Sequence, residues 1–260
     1  MILEVKNMAF SYGNYDVLKD LNFDIESGKT LSILGPNGIG KTTLIKCLLG
    51  LRKKTGGEIL FDGKDIDTFE KKNLYSFVAY LKQGGKESSI YTVLDTVLLG
   101  LASKINPLLK PKEEDIEKVD SLLKELGIYD LREKYVSRLS GGEAQMVFMA
   151  RALIRDPEVL ILDEPESNLD YRNQLLMLDT IDSLKSKGKL IIFNTHYPEH
   201  ALRYSDKVLM LNKGYKYKFG KTIDIITKEN IEETYRIKAA IGELSDGNNI
   251  YKDVIPLSIV

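Results

Sequence analysis

Several architectures are excluded by what this sequence lacks. One residue in 260 is cysteine, so no intrachain disulfide can form and a disulfide-stapled scaffold is excluded. Cys47 lies in a helical pattern beside Lys46, Leu48 and Leu49, which predicts a buried small apolar residue and not a reactive thiol. No stretch approaches the roughly 20 apolar residues of a bilayer-crossing helix. Even "KLIIFNTH" is interrupted after four apolar residues. The opening "MILEVKNMAFSYG" has no basic region followed by an apolar run, so no signal peptide is expected. Charge of one sign is missing too: 37 basic against 38 acidic residues leave a net −1, with no global attraction to nucleic acid or an anionic bilayer. With 43% hydrophobic residues, a packed core is expected and disorder is not.

What is present is a rhythm. "ILEV" (2–5), "TLSIL" (30–34), "FVAYL" (77–81), "VLIL" (159–162), "LIIF" (190–193) and "KVLML" (207–211) predict strands, the later ones continuously apolar as strands covered on both faces should be. Helical patterns at 41–51, 168–187 and 198–204 follow three of them, and this alternation predicts an α/β fold with a parallel sheet. Between about 86 and 155 the rhythm breaks into three helical patterns, predicting a helical insertion between two halves of one sheet. The charge-rich "KPKEEDIEK" within it reads as a solvated helix face. A polar segment after Gly220 suggests a small C-terminal extension of unrevealed role.

Chemistry enters at "TLSILGPNGIGKTTLIKCLLG". Gly35, Pro36, Asn37, Gly38, Ile39, Gly40, Lys41 and Thr42 satisfy G-x-x-x-x-G-K-[ST] between a strand and a helix, with Thr43 next in line. Glycines let backbone N–H groups curl around phosphate oxygens, and the helix N-terminus adds partial positive charge. Lys41 can neutralise the β- and γ-phosphates, and the Thr42 hydroxyl can hold Mg²⁺. The site is therefore one for a nucleotide. In "VLILDEPESNLD" a strand delivers Asp163 and Glu164 at its C-terminal edge, where open α/β sheets bind ligands. Asp163 is placed to hold Mg²⁺, directly or through water. Glu164 could polarise a water for attack on the γ-phosphate.

A second glycine-rich helix start, Ser140-Gly141-Gly142 in "SRLSGGEAQMVFMARAL", has the form of another anion site. Phosphate loop, "LSGGEAQ", "LILDEP", "SNLD" and a strand-ending His196 occur in an order that resembles ATP-binding cassette (ABC) ATPases, over residues 1 to about 220. The resemblance implies a P-loop NTPase (RecA-like) core, here 1–85 and 156–220, with N-terminal antiparallel β elements, an inserted helical subdomain near 86–155 and an extension at 221–260. It implies a head-to-tail homodimer in which Ser140, Gly141 and Gly142 bind the γ-phosphate of the partner's ATP. Tyr12 matches the aromatic that stacks on adenine, and Gln83 the loop glutamine sensing Mg²⁺ and the γ-phosphate. Asp170 matches an aspartate crossing the dimer interface, and His196 the switch histidine at the γ-phosphate. His200 matches no catalytic position and is expected at the surface.

Departures fall at Lys82, where proline is usual, at Ala144 and Met146 in the signature helix, and at Glu166, where Thr or Ser is usual. None removes a phosphate, Mg²⁺ or water ligand. "TVLDTVLLG", "LDYRNQ", "THYPEHALRYSDKVLML" and "ITKENIEETYRIKAAI" are similar to importers of ferric siderophores, haem and cobalamin. That narrower resemblance implies two transmembrane permease subunits, an extracytoplasmic substrate-binding protein and a place on the cytoplasmic face of the membrane. No nucleic acid is expected as a partner. The motifs leave open an importer of free metal ions, or a soluble cassette ATPase of metallocluster assembly or DNA-associated work.

Overall fold

The structure, a computed structural model, describes residues 1–82, 90–101 and 111–260. The first half contains β1 (Ile2–Tyr12), β2 (Tyr15–Glu26), β3 (Thr30–Leu34), α1 (Lys41–Leu48), β4 (Gly56–Phe61), β5 (Lys64–Asp65), α2 (Lys71–Phe77), β6 (Val78–Leu81), α3 (Val93–Leu98) and α4 (Glu113–Glu125). There follow α5 (Gly141–Leu153), β7 (Val159–Asp163), α6 (Tyr171–Ser186), β8 (Leu190–Asn194), α7 (Pro198–Tyr204), β9 (Lys207–Leu211) and β10 (Tyr217–Lys221). The chain ends in α8 (Thr222–Ile225), α9 (Lys228–Tyr235), β11 (Ile237–Ser245) and β12 (Ile250–Ile259). Two compact units result: residues 1–69 with 185–260, and residues 70–184.

The first unit holds an antiparallel sheet of order β2-β1-β4-β5. Only "ILEV" stood out in the sequence because β1 changes phase. Leu3 and Val5 are buried, then Asn7 takes a positive φ of 48° and the register shifts, so that Met8 and Phe10 face inward. Asp20 (φ 51°) does the same to β2, between buried Leu18 and Leu21. A bulge restores burial while destroying the period-two signal. The same unit holds β3 between parallel β8 and β9, with β10 antiparallel on β9. All five residues of β3 and of β8 are buried, as their unbroken apolar character predicts.

The C-terminal segment is part of this unit's core. Ile226, Ile231, Ala239 and Val254 are buried with Leu34, Val208 and Met210. Local bonds fix it: the Thr227 hydroxyl caps α9 by accepting from the Asn230 N–H at 3.3 Å, and Glu232 Oε1 accepts from the Ala239 N–H at 3.1 Å. The strands β11 and β12 pair as an antiparallel hairpin. One apolar residue every four or five positions along a charged helix gave no strong sequence signal.

In the second unit β6 and β7 run parallel, with Val78 opposite Val159 and Leu81 opposite Leu162. Phe77, read as the first strand residue, instead ends α2. The three helical patterns become α3, α4 and α5. Thr92 and Asp95 cap α3 reciprocally. Along α4, Val119 and Leu123 are buried while Glu113 and Glu114 are exposed, which is the solvated face expected there.

Candidate functional site

In the first unit, three strand ends converge. Parallel pairing places Ile33 opposite both Asn194 and Leu209, so the chain leaves β3, β8 and β9 on one edge of the sheet. Gly35 begins the phosphate loop there and His196 follows β8, while the Thr195 N–H donates to the Ile33 carbonyl at 3.2 Å. The loop turns into α1 through Gly40 at φ 114°. No acidic residue occupies the first turn of α1, so the positive end of its dipole has no internal counter-charge. Thr42 and Thr43 lie in that turn.

Lys41 is buried, and its Nζ donates to the carbonyls of Gly35 at 2.6 Å and Pro36 at 3.2 Å. The amine thus lies over the loop it belongs to, while Asn37 and Gly38 at the tip are exposed. Gly35 has a φ of 143°, and a Cβ on it would come within 2.6 Å of the Leu211 carbonyl, so no other residue fits. Its N–H donates to the Tyr235 hydroxyl at 3.2 Å. Tyr12, at the end of β1, is half exposed. The Phe10 ring meets it edge-on at 4.8 Å, and the Arg52 guanidinium lies 5.6 Å from its centroid.

In the second unit, Asp163 closes β7 and is almost fully buried. Tyr80 on β6 donates its hydroxyl to Asp163 Oδ2 at 3.3 Å. Burial, reinforced by the adjacent carboxylate, pushes the Tyr80 phenol well up, which keeps it a donor. Glu164 follows in the left-handed region at φ 49°, a sparsely populated conformation for a non-glycine residue and one enriched at functional sites. Leu81, at the end of β6, pairs with Leu162 beside the end of β7. Gln83 itself lies outside the described residues.

The signature run starts α5 as its pattern predicts. Ser140 Oγ accepts from the Glu143 N–H at 3.2 Å, and Glu143 Oε2 accepts from the Ser140 N–H at 2.8 Å. This reciprocal cap holds the Glu143 carboxyl below its ordinary range. Ser140 and Gly141 are exposed. Gly142 is buried, and a Cβ on it would come within 2.4 Å of Asn173 Nδ2 on α6. Asp170 is exposed and its Oδ1 accepts from the Asn173 N–H at 2.9 Å, so it caps α6.

Cys47 is buried and its thiol is pushed up to about 12 by desolvation, consistent with packing and not reactivity. His200, expected at the surface, is half-buried, its ring 4.8 Å from that of Tyr197. Glu166 is buried. Tyr80, Arg52 and Tyr235 escaped the sequence reading. Tyr80 stands two residues before Lys82 in "AYLKQG", where its spacing from the loop was visible, but its contact with Asp163 depends on strand pairing.

Residues that could coordinate a metal in these two groups are Thr42 and Asp163, both hard oxygen donors. Among the described residues no group of three or more His, Cys, Asp or Glu forms a metal cage. Mg²⁺ takes one or two protein oxygens and completes its shell from water and phosphate.

A family model described as "ABC transporter" matches residues 18–167. The chain is 38% identical to a probable iron chelatin transport ATP-binding protein of Helicobacter pylori, over 90% of this chain and 93% of that one. It is 34% identical to the manganese transport system ATP-binding protein of Bacillus subtilis, over 90% of this chain and 92% of that one. A solved structure of an ABC transporter assigned to the metal-chelate type, in an inward-facing conformation, superposes with a TM-score of 0.87. It is 31% identical and covers 98% of this chain and 97% of that one.

Proposed function

This chain belongs to the ABC transporter family as an ATP-hydrolysing subunit, and from that premise we propose that it drives an importer of a metal chelate, of the iron-siderophore, haem or cobalamin kind. The observation that carries the nucleotide chemistry is the loop from Gly35 to Thr43, held between β3 and α1 with Lys41 over its carbonyls. The cargo class rests on the sequence stretches similar to chelate importers and on the named relatives. A free metal ion such as manganese is the second reading, favoured by the Bacillus subtilis relative. ABC transporter ATPases work with transmembrane permeases. Among the described residues no helix is long and apolar enough to cross a membrane, so the spans would come from other chains.

In the mechanism we favour, loop N–H groups and Lys41 hold the phosphates of ATP, and the exposed Tyr12 ring stacks on the adenine. Thr42 and Asp163 would hold Mg²⁺, which neutralises charge building on the phosphates. Glu164 takes a proton from the attacking water, and His196, at the same sheet edge as the loop, contacts the γ-phosphate. Two copies pair head to tail, so that the Ser140-Gly141-Gly142 helix start of each faces the ATP of the other, with Asp170 beside the interface. Gln83 links nucleotide state to a groove on the helical subdomain, residues 86–155, which receives the permease. ATP binding closes the dimer and hydrolysis reopens it, so the work done on the permease is the difference in binding energy between the two states. The dimer lies on the cytoplasmic face, fed from outside by a substrate-binding protein.

Native pull-down from detergent-solubilised membranes tests the importer reading. Two copies of a many-span permease should copurify, and vesicles carrying the complex should accumulate a siderophore, haem or cobalamin on ATP addition. Uptake of Mn²⁺ alone would favour the second reading. Recovery only from the soluble fraction with cytosolic partners would leave the ATPase chemistry and remove transport.

A further inference from the structure

We infer that Tyr235, from the C-terminal segment, is a positioning residue for the phosphate loop. The segment thereby tunes nucleotide affinity as well as completing the core. The inference rests on the nucleotide reading of that loop.

Gly35 is gripped from both sides. Its carbonyl accepts from Lys41 Nζ at 2.6 Å, and its N–H donates to the Tyr235 hydroxyl at 3.2 Å. Its α-carbon is pressed against the end of β9, where even a methyl group would strike the Leu211 carbonyl. The peptide that fixes the start of the loop therefore depends on a hydroxyl 200 residues away in sequence.

Tyr235 is itself immobilised. It is the last residue of α9, packed against the cluster containing Leu34, Met210 and Ile231. Its neighbour Thr234 donates to Met210 Sδ at 3.1 Å, and Lys218 on β10 pairs with Glu233 at 2.9 Å. Successive residues of one helical turn are thus tied to β9, β10 and the loop. A phenol held so firmly offers its oxygen at a fixed point. Without it the buried Gly35 N–H is left without that acceptor, and the loop shifts to find another. Such a shift alters how the N–H groups and Lys41 meet phosphate, an effect on binding and not on proton transfer.

Tyr235→Phe removes the hydroxyl and keeps the ring. Thr234→Val removes the adjacent bond to Met210 and serves as the control for general loosening of α9. In nucleotide-free protein, hydrogen exchange of the peptide spanning 34–41 is expected to quicken in Tyr235→Phe and not in Thr234→Val. The KM for ATP should rise about fivefold in Tyr235→Phe, the cost of one lost hydrogen bond, with kcat unchanged. Equal exchange in wild type and Tyr235→Phe, or equal acceleration by Thr234→Val, would overturn the inference. So would an unchanged KM despite faster exchange. If the wild-type protein bound no ATP, the nucleotide reading would fail instead, and exchange alone would decide whether Tyr235 holds the loop.

Discussion

Glu164 and Tyr235 are residues whose local environments set their chemistry. Glu164 sits one position past a buried strand, in a left-handed backbone conformation that costs energy and persists only because its surroundings fix it. If it serves as the general base, Glu164→Gln should bind ATP normally while steady-state hydrolysis falls by about 10²–10⁴. Phosphate release measured beside equilibrium ATP binding separates the two, and unimpaired release would remove Glu164 from its role. Tyr235 yields a titration. Desolvation pushes its phenol up to about 12, so the folded protein holds that proton more tightly than the unfolded chain does. Its contribution to stability is therefore intact below the ordinary tyrosine value of about 10 and is lost as pH rises through about 12. Subtracting the ultraviolet titration of Tyr235→Phe from that of the wild type should isolate a phenolate step near 12. A step near the ordinary value would show the ring to be solvated.

At the scale of elements, some of the fold was legible and some was not, for definable reasons. Strands β3, β7, β8 and β9 are buried on both faces, so they appear as short apolar runs, and the phosphate loop and Asp163 were located by following them. The start of α5 was legible because Ser140 and Glu143 form a reciprocal cap with fixed spacing. The antiparallel sheet was nearly invisible, since bulges at Asn7 and Asp20 break alternation in both of its long strands. The C-terminal elements were missed because their buried residues are sparse and their partners, Leu34 and Met210, are distant in sequence. No periodicity could have linked Tyr235 with Gly35, whereas the loop motif itself was plain. From this packing, Ile231→Ala should destabilise the protein by about 2–5 kcal/mol, the usual range for emptying a buried aliphatic site. Chemical denaturation would measure it. A loss well below that range would mean that α9 is an appendage and not part of the core.

For the whole molecule, the division of labour proposed for α5 makes assembly the decisive property. Ser140 and Gly141 are exposed at a helix N-terminus, which favours an anion, yet the phosphate loop is on another unit of the chain. If the second helix start serves a partner's nucleotide, disabling it should leave ATP binding intact and abolish nucleotide-driven dimerisation. Ser140→Arg tests this, but it also removes the N-cap, at a cost of about 1 kcal/mol. Gly141→Asp avoids that ambiguity. Nothing lies within 4 Å of a Cβ at Gly141, and a carboxylate in the first turn favours the helix dipole, so the fold should be unharmed. The same carboxylate would repel a γ-phosphate. Sedimentation of the Glu164→Gln background with Mg-ATP should therefore show dimer, and adding Gly141→Asp should return it to monomer at unchanged melting temperature. A dimer that survives Gly141→Asp would mean that the helix start is only a capped turn within its own chain, and that the copies pair, if they do, through some other surface.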